Sequence, residues 1–148
     1  MSMNACEEYA VPVGAHPRMI GVLARPARAE SRRCATAVVL LGAGLVHHVG
    51  PNRLMVRLAR RLASRGIASL RFDHRGIGDS APRVDGQSFE AGAVREAREA
   101  MDHLQASEGM ETFVVLGICS GAETALRVAL EDPRVVGVGM INGGGQGA

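Results

Sequence analysis

The chain contains no lysine: all 17 of its basic residues are arginine. It also has no tryptophan, one tyrosine and three phenylalanines. So few rings provide no platform on which successive bases of a single strand could stack. The 17 arginines stand against 15 acidic residues, a formal net charge of +2. That is too small a field to call for nucleic acid or another acidic partner. The bias toward arginine reads as a feature of the coding sequence, not as phosphate recognition. No apolar run approaches the ~18 residues of a membrane span, so no membrane partner is expected. The stretch Met1–Glu8 is polar and acidic, unlike a secretory leader, and the reading is a cytoplasmic protein. The cysteines Cys6, Cys34 and Cys119 are odd in number and scattered, which gives neither a disulfide framework nor a zinc spacing. No metal or organic cofactor is implied.

What remains is ordinary for a globular chain: 47% hydrophobic and 22% charged residues in 148. That length fits one domain, read here as spanning residues 1–148, and buries roughly 68–70% of its unfolded surface when packed. Glu7–Val13 and Arg18–Arg25 alternate as strands around a turn at Gly14–Pro17, an opening antiparallel hairpin. A loop follows over Pro26–Arg33. Ala35–Leu41 is then continuously apolar, as a strand covered on both faces must be.

Pro51 is placed to open a helix ending near Arg65, with Gly66 at the position that favours a left-handed residue. Leu54, Leu58 and Leu62 would form its apolar stripe, and Arg53, Arg57, Arg60, Arg61 and Arg65 its wet face. Ile67–Asp73 reads as the next strand, followed by a glycine-rich turn from Arg75 to Ser80. Ser88 can cap a helix from Phe89 to about Ala106, with Ala91, Val94, Ala97, Met101 and Leu104 on its buried stripe. Thr112–Ile118 is a buried-type strand, Gly121–Glu131 a helix stopped by Pro133, and Val135–Ile141 a last strand before the tail Asn142–Ala148. Repeated βα units imply an α/β fold: a mainly parallel sheet with helices on both faces.

Gly117-Ile118-Cys119-Ser120-Gly121 lies between a buried strand and an amphipathic helix. Small-x-nucleophile-x-small in that setting is the pattern of a nucleophile elbow, whose turn is too tight for side chains two residues to either side. Such a turn aims Cys119 at the start of the following helix, where unpaired N–H groups and the helix dipole favour a thiolate. Ser120 is the rival nucleophile, but its flanks are Ile118 and Ala122, and isoleucine is too large for the elbow. An oxyanion hole would need the Ser120 N–H and a second N–H from the loop Leu41–Leu45, for which Gly44 is the candidate.

Three segments carry a resemblance. Leu40–Arg53 resembles the strand-three loop of α/β-hydrolases in the serine-aminopeptidase-like branch. Arg71–Ser80 resembles the turn after strand four in the same branch. Leu116–Ala122 is similar to the elbow of members that use cysteine, including the exosortase-associated hydrolases, and dienelactone hydrolases also place cysteine there. The three occur in the right order between Leu40 and Ala122. The resemblance implies an α/β-hydrolase fold truncated after about strand six, and hence a domain incomplete at its C-terminus. It also implies hydrolysis of a small-molecule ester, thioester or amide through an acyl-cysteine.

The family order is nucleophile, acid, histidine. Here the last histidine is His103, before Cys119, so a triad in that order is absent from the chain. His47 and His48 read as loop histidines shaping the oxyanion wall, and Asp73 and Asp79 as residues that fix the glycine-rich turn. His16, His74 and His103 have weaker claims.

The main alternative is a catalytically incomplete fragment or assembly half of such a hydrolase. A further one is a Rossmann-like nucleotide-binding domain: Val38–Gly44 runs from strand into G-x-G, and Asp73 ends the next strand. However, the third glycine position is His47, and the helix begins several residues too late. Finally, Val135–Ile141 carries no charge or proline. It is expected to be an open sheet edge that joins a second copy, as a homo-oligomer, or a complementary C-terminal fragment.

Overall fold

The structure is a computed structural model that describes residues 6–16, 18–27 and 34–142. Pro17 of the opening turn, residues 28–33 of the following loop and the tail beyond Asn142 lie outside the described residues, as do residues 1–5. Six strands form one sheet: β1 (Cys6–Val13), β2 (Met19–Pro26), β3 (Thr36–Leu41), β4 (Ser69–Phe72), β5 (Thr112–Ile118) and β6 (Val135–Ile141). Their order across the sheet is β1-β2-β4-β3-β5-β6. The β1–β2 and β2–β4 pairs are antiparallel, and β4, β3, β5 and β6 run parallel. The hairpin and the parallel remainder follow the expectation from sequence.

Three helices cover the sheet: α1 (Leu54–Ala63), α2 (Phe89–Glu108) and α3 (Ser120–Glu131). Alternation along the central strands divides the core in two. Ala37, Val39 and Leu41 of β3 join Phe113 and Val115 of β5 beneath α2 and α3, which supply Ala97, Met101, Leu104, Ala125 and Val128. Val38 and Leu40 face the other way, onto Met55 and Ala59 of α1. A strand buried on both faces has no polar positions to alternate, which explains the unbroken apolar run of β3.

Several boundaries differ from the sequence reading. The helix predicted from Pro51 begins at Leu54, because Asn52 and Arg53 take left-handed backbone angles (φ 50° and 57°) within a short 3₁₀ turn over Pro51–Arg53. Its deepest residues are Met55, Val56, Ala59 and Ala63, and the predicted leucine stripe only packs half-buried at their side. The arginines Arg57, Arg60, Arg61 and Arg65 are exposed, as a wet face requires. Ser88 caps α2 by accepting from the Ala91 N–H at 3.3 Å, but Ala91 itself is exposed. The helix runs on to Glu108 and ends on Gly109 at φ 69°. β4 is shorter than Ile67–Asp73, and β2 starts at Met19 and not Arg18.

The buried face of α2 includes Glu96, a charge the apolar pattern did not anticipate. Its carboxylate accepts from Arg83 at 2.8 Å and from the Arg75 N–H at 3.3 Å, and lies 2.8 Å from His74 Nδ1. The His74 ring is held edge-on between Phe72 and Phe89, with centroids 5.0 and 5.4 Å away. Arg75 continues the network to Glu99 at 2.7 Å. Glu96 thereby ties the turn after β4 and the approach to α2 to one point. Burial alone would push its acidity down, but the hydrogen bond to His74 and the charges of His74 and Arg83 outweigh it, and the Glu96 carboxyl titrates below the ordinary glutamate range.

A depressed folded-state pKa contributes stability that is complete above the unfolded value, about 4.3, and drains away as pH falls through the folded one. Urea unfolding between pH 7 and pH 3 should therefore show an acid decline that Glu96→Gln flattens. Equal slopes in the two proteins would remove Glu96 from the account. Glu96→Ala, which leaves Arg83 and His74 without their counter-charge, should cost about 3–5 kcal/mol at neutral pH.

Candidate active site

Cys119 sits between the end of β5 and the first residue of α3 with φ 54° and ψ −118°, a conformation that L-residues rarely adopt. The strain is held from several sides. The Cys119 N–H donates to the Ile141 carbonyl at the end of β6 (2.9 Å), and the Cys119 carbonyl accepts from the Ala122 N–H (3.0 Å). A side chain on Gly117 would run into the Gly121 carbonyl and come within 2.6 Å of the Ala122 nitrogen. One on Gly121 would come within 2.5 Å of the Gly42 carbonyl oxygen and 2.6 Å of that of Leu41. Both glycines are therefore required by close backbone approach, as the elbow pattern demands. The outcome is an exposed thiol at the N-cap of a twelve-residue helix.

The loop after β3 faces this turn. Gly44, at φ 48°, points its N–H at the Ser120 side chain and donates to Oγ at 2.6 Å. Ser120 is the first residue of α3, so its own N–H belongs to the helix-initial set that has no intrahelical acceptor. Gly44 and Ser120 together line a cleft of about 370 Å³. Leu45, Phe89 and Thr124 give it apolar lining, and Glu123 and Arg127, paired at 2.8 Å, give it charge. The two residues predicted to supply oxyanion donors thus meet beside the turn, joined by the bond from the Gly44 N–H to the Ser120 hydroxyl. The pocket-lining Phe89 and Arg127 carried no sequence signal, since helix periodicity says nothing of which cleft a residue faces.

His48 and Asp73 form a second constellation. Asp73 is buried, and its carboxylate accepts from the His48 N–H at 2.6 Å and the Asp79 N–H at 3.1 Å, with His48 Nδ1 at 3.0 Å. The Asp73 carbonyl accepts from the Ser80 hydroxyl, which in turn accepts from the Ile20 N–H. Asp73 therefore locks the glycine-rich turn, and does so across to the β3 loop. Asp79 takes part through its backbone and not its carboxylate. His48, Asp73 and Asp79 bring potential metal-ligand atoms within 4.8 Å of one another. Both Asp73 oxygens are already spent on N–H donors, so the group is a hydrogen-bonded lock. An Asp holding the Nδ1 of a His is also the orienting arrangement of a catalytic dyad. However, the His47 ring accepts from the Val49 N–H and the His48 ring bonds to Asp73, and no hydrogen bond among the described residues joins either ring to Cys119.

The glycine turn Gly42–Gly44 does not lead into a helix. Nine residues separate Gly44 from Leu54, so no α-helix N-terminus stands ready for a pyrophosphate, as a dinucleotide site would need. Of the other cysteines, Cys34 is exposed and Cys6 is half-buried, and burial followed by the charge of Glu8 pushes the Cys6 thiol's pKa up.

Comparison with known proteins agrees with the fold. Residues 33–144 match the family described as serine aminopeptidase, S33. Among curated proteins no sequence match is found. The fold is similar to that of the α/β hydrolase GrgF from Penicillium sp. sh18, with a TM-score of 0.72, 17% identity, and coverage of 90% of this chain and 45% of that one. It is also similar to a dienelactone hydrolase-like promiscuous phosphotriesterase, P91, from metagenomic libraries (TM-score 0.71, 24% identity, 95% and 60%). A hypothetical protein, PA2218, from Pseudomonas aeruginosa gives 0.75, 22%, 94% and 43%. At these identities the likeness is one of fold, and the chain spans roughly half the length of the structures it matches. No described helix is long and apolar enough to cross a membrane.

Two outcomes check the elbow. Limiting iodoacetamide near neutral pH, mapped by mass spectrometry, should label Cys119 ahead of Cys6 and Cys34; faster labelling of either of the others removes the assignment. Gly121→Ala should destabilise the fold by about 1–3 kcal/mol or more, the usual cost of overpacking, here aimed at backbone that has little room to yield.

Proposed function

This chain belongs to the serine aminopeptidase, S33, family of α/β-hydrolases, and from that premise we propose that Cys119 carries out acyl transfer on an ester, thioester or amide. The thiolate attacks the acyl carbon, the C–S bond forms, and the carbonyl electrons move onto oxygen. Collapse of that oxyanion breaks the bond to the alcohol, thiol or amine, which departs with a proton. Water then adds to the acyl-cysteine, releasing the acid and regenerating the thiol. The observation that carries the reading is the strained backbone of Cys119 at the start of α3, held by two glycines that tolerate no side chain. The Ser120 N–H and the Gly44 N–H are the donors proposed to receive the oxyanion.

The base is the weak point of the site. No histidine follows Cys119 in the sequence, and His48 is engaged with Asp73. General-base assistance is typically worth ~10²–10⁴-fold. The chain should therefore release one equivalent of p-nitrophenolate from an activated ester as Cys119 is acylated, and turn over slowly thereafter. Fast steady turnover that Cys119→Ala abolishes and His48→Ala strongly lowers would instead make His48 the base.

A second reading, that the chain acts as one half of such a hydrolase, is favoured by the state of β6. It is the outer strand, paired on one side only among the described residues, and Val136, Val138, Met140 and Ile141 are exposed along it. Leu126 and Leu130 of α3 add exposed apolar surface. An edge of this kind recruits another strand. Sedimentation at micromolar concentration should show association that Val138→Lys reduces. A monomer in which the β6 amides are protected from exchange would rule this reading out.

A further inference from the structure

The geometry points to a role for the Ser120 hydroxyl that is separate from the backbone N–H of the same residue: we propose that Ser120 Oγ is an internal occupant of the oxyanion hole, which the acyl oxygen of a substrate must displace from Gly44. This rests on Cys119 being the nucleophile of the proposed acyl transfer.

A hole built from the Ser120 and Gly44 N–H groups requires an oxygen that can accept from both. Ser120 Oγ accepts from the Gly44 N–H at 2.6 Å, at the short end for a hydrogen bond from a neutral amide. Only three covalent bonds separate that oxygen from the Ser120 nitrogen, so it lies beside the second donor as well. Ser120 is exposed, and the cleft it lines with Gly44 is open to ligand. The side chain is also what bridges Gly44, the turn of the β3 loop, to α3 on the far side of that cleft.

The consequence concerns which acceptors can enter. A neutral carbonyl in the ground state competes with a hydroxyl of similar acceptor strength and gains little. The anionic oxygen of the tetrahedral intermediate accepts charge-assisted bonds roughly twice as strong as neutral ones and displaces the hydroxyl readily. Either oxygen must break the same Gly44–Ser120 bond to enter, so Ser120 weakens ground-state and transition-state binding of the acyl oxygen by a similar amount. Its removal should act mainly on KM and on acylation at limiting ester, and little on the limiting rate.

The test uses the intact chain and two reagents for the same thiol. p-Nitrophenyl acetate acylates Cys119 with release of p-nitrophenolate and builds an oxyanion on the way. Dithiodipyridine exchanges a disulfide with Cys119, releasing thiopyridone, and has no carbonyl. In Ser120→Ala the ratio of acylation to exchange rates at limiting reagent should rise about 2–10-fold, the range that one net neutral hydrogen bond commands. Mass spectrometry should place both adducts on Cys119. An unchanged ratio overturns the inference while leaving Cys119 as nucleophile. A lowered ratio overturns it as well, because the hydroxyl then assists the oxyanion. Disulfide exchange at Cys119 with no acylation in either protein overturns the proposed function and this inference with it.

Discussion

The site depends on a close approach between two pieces of backbone, the first turn of α3 and the end of β3. Gly121 lies so near the Leu41 and Gly42 carbonyls that no side chain fits between them. Because β3 and β5 are hydrogen-bonded neighbours from Thr36↔Thr112 to Leu41↔Gly117, their ends emerge side by side at the same edge of the sheet. The chain leaving β3 must then fold over the chain leaving β5. The left-handed Gly44, the strained Cys119, the bond from Gly44 to Ser120 and the cleft between them all follow from that one crowding. A parallel sheet makes this possible, because every strand delivers its loop to the same end.

The rest of the fold holds that edge rigid. Asp73, at the end of β4, reaches the β3 loop through His48 and its own turn through the Asp79 N–H, so the loops after β3 and β4 move as one body. Glu96 performs the same task one layer lower, gathering His74, Arg75 and Arg83 onto α2. Both are buried carboxylates surrounded by donors, and in each case the partners come from separate loops. Loops fixed by shared charge-assisted bonds lose little further freedom on binding, which is what a preorganised site requires. On the opposite side of the turn, the Ile141 carbonyl accepts from the Cys119 N–H, so β6 also takes part in holding Cys119.

What the sequence made legible follows the range of each signal. The elbow could be read because its requirement is local: two glycines at fixed offsets, a buried strand before them and a helix after. The parallel order could be read because βα alternation leaves few other choices. Glu96 could not be read, because its neighbours are 13 to 22 positions away and periodicity marks only which residues are apolar. The start of α1 was misplaced because a proline ordinarily opens a helix, whereas here Asn52 and Arg53 take left-handed angles that delay it to Leu54. The Gly44–Ser120 bond spans 76 residues and involves a backbone donor, so no pattern of side chains announces it.

An acyl-transfer site divides into two kinds of component. The nucleophile and the oxyanion donors depend on backbone conformation, and a change of an ångström in where β3 and α3 meet would disarm them. The acid and base depend on side chains that need only arrive within hydrogen-bonding reach of the thiol. On the proposed reading the first kind lies within residues 41–44 and 117–121, where strained angles and side-chain-free glycines come from the fold itself. The second kind appears only as a His48–Asp73 pair whose primary bonds lock loops. On that reading the demanding component is intrinsic to this fold, while a group needing reach alone could be presented from His48 or from a second polypeptide along β6, which is paired on one side only among the described residues. Because the Cys119 N–H donates to the Ile141 carbonyl at the end of that strand, anything docking along β6 would touch the element that helps hold the Cys119 backbone.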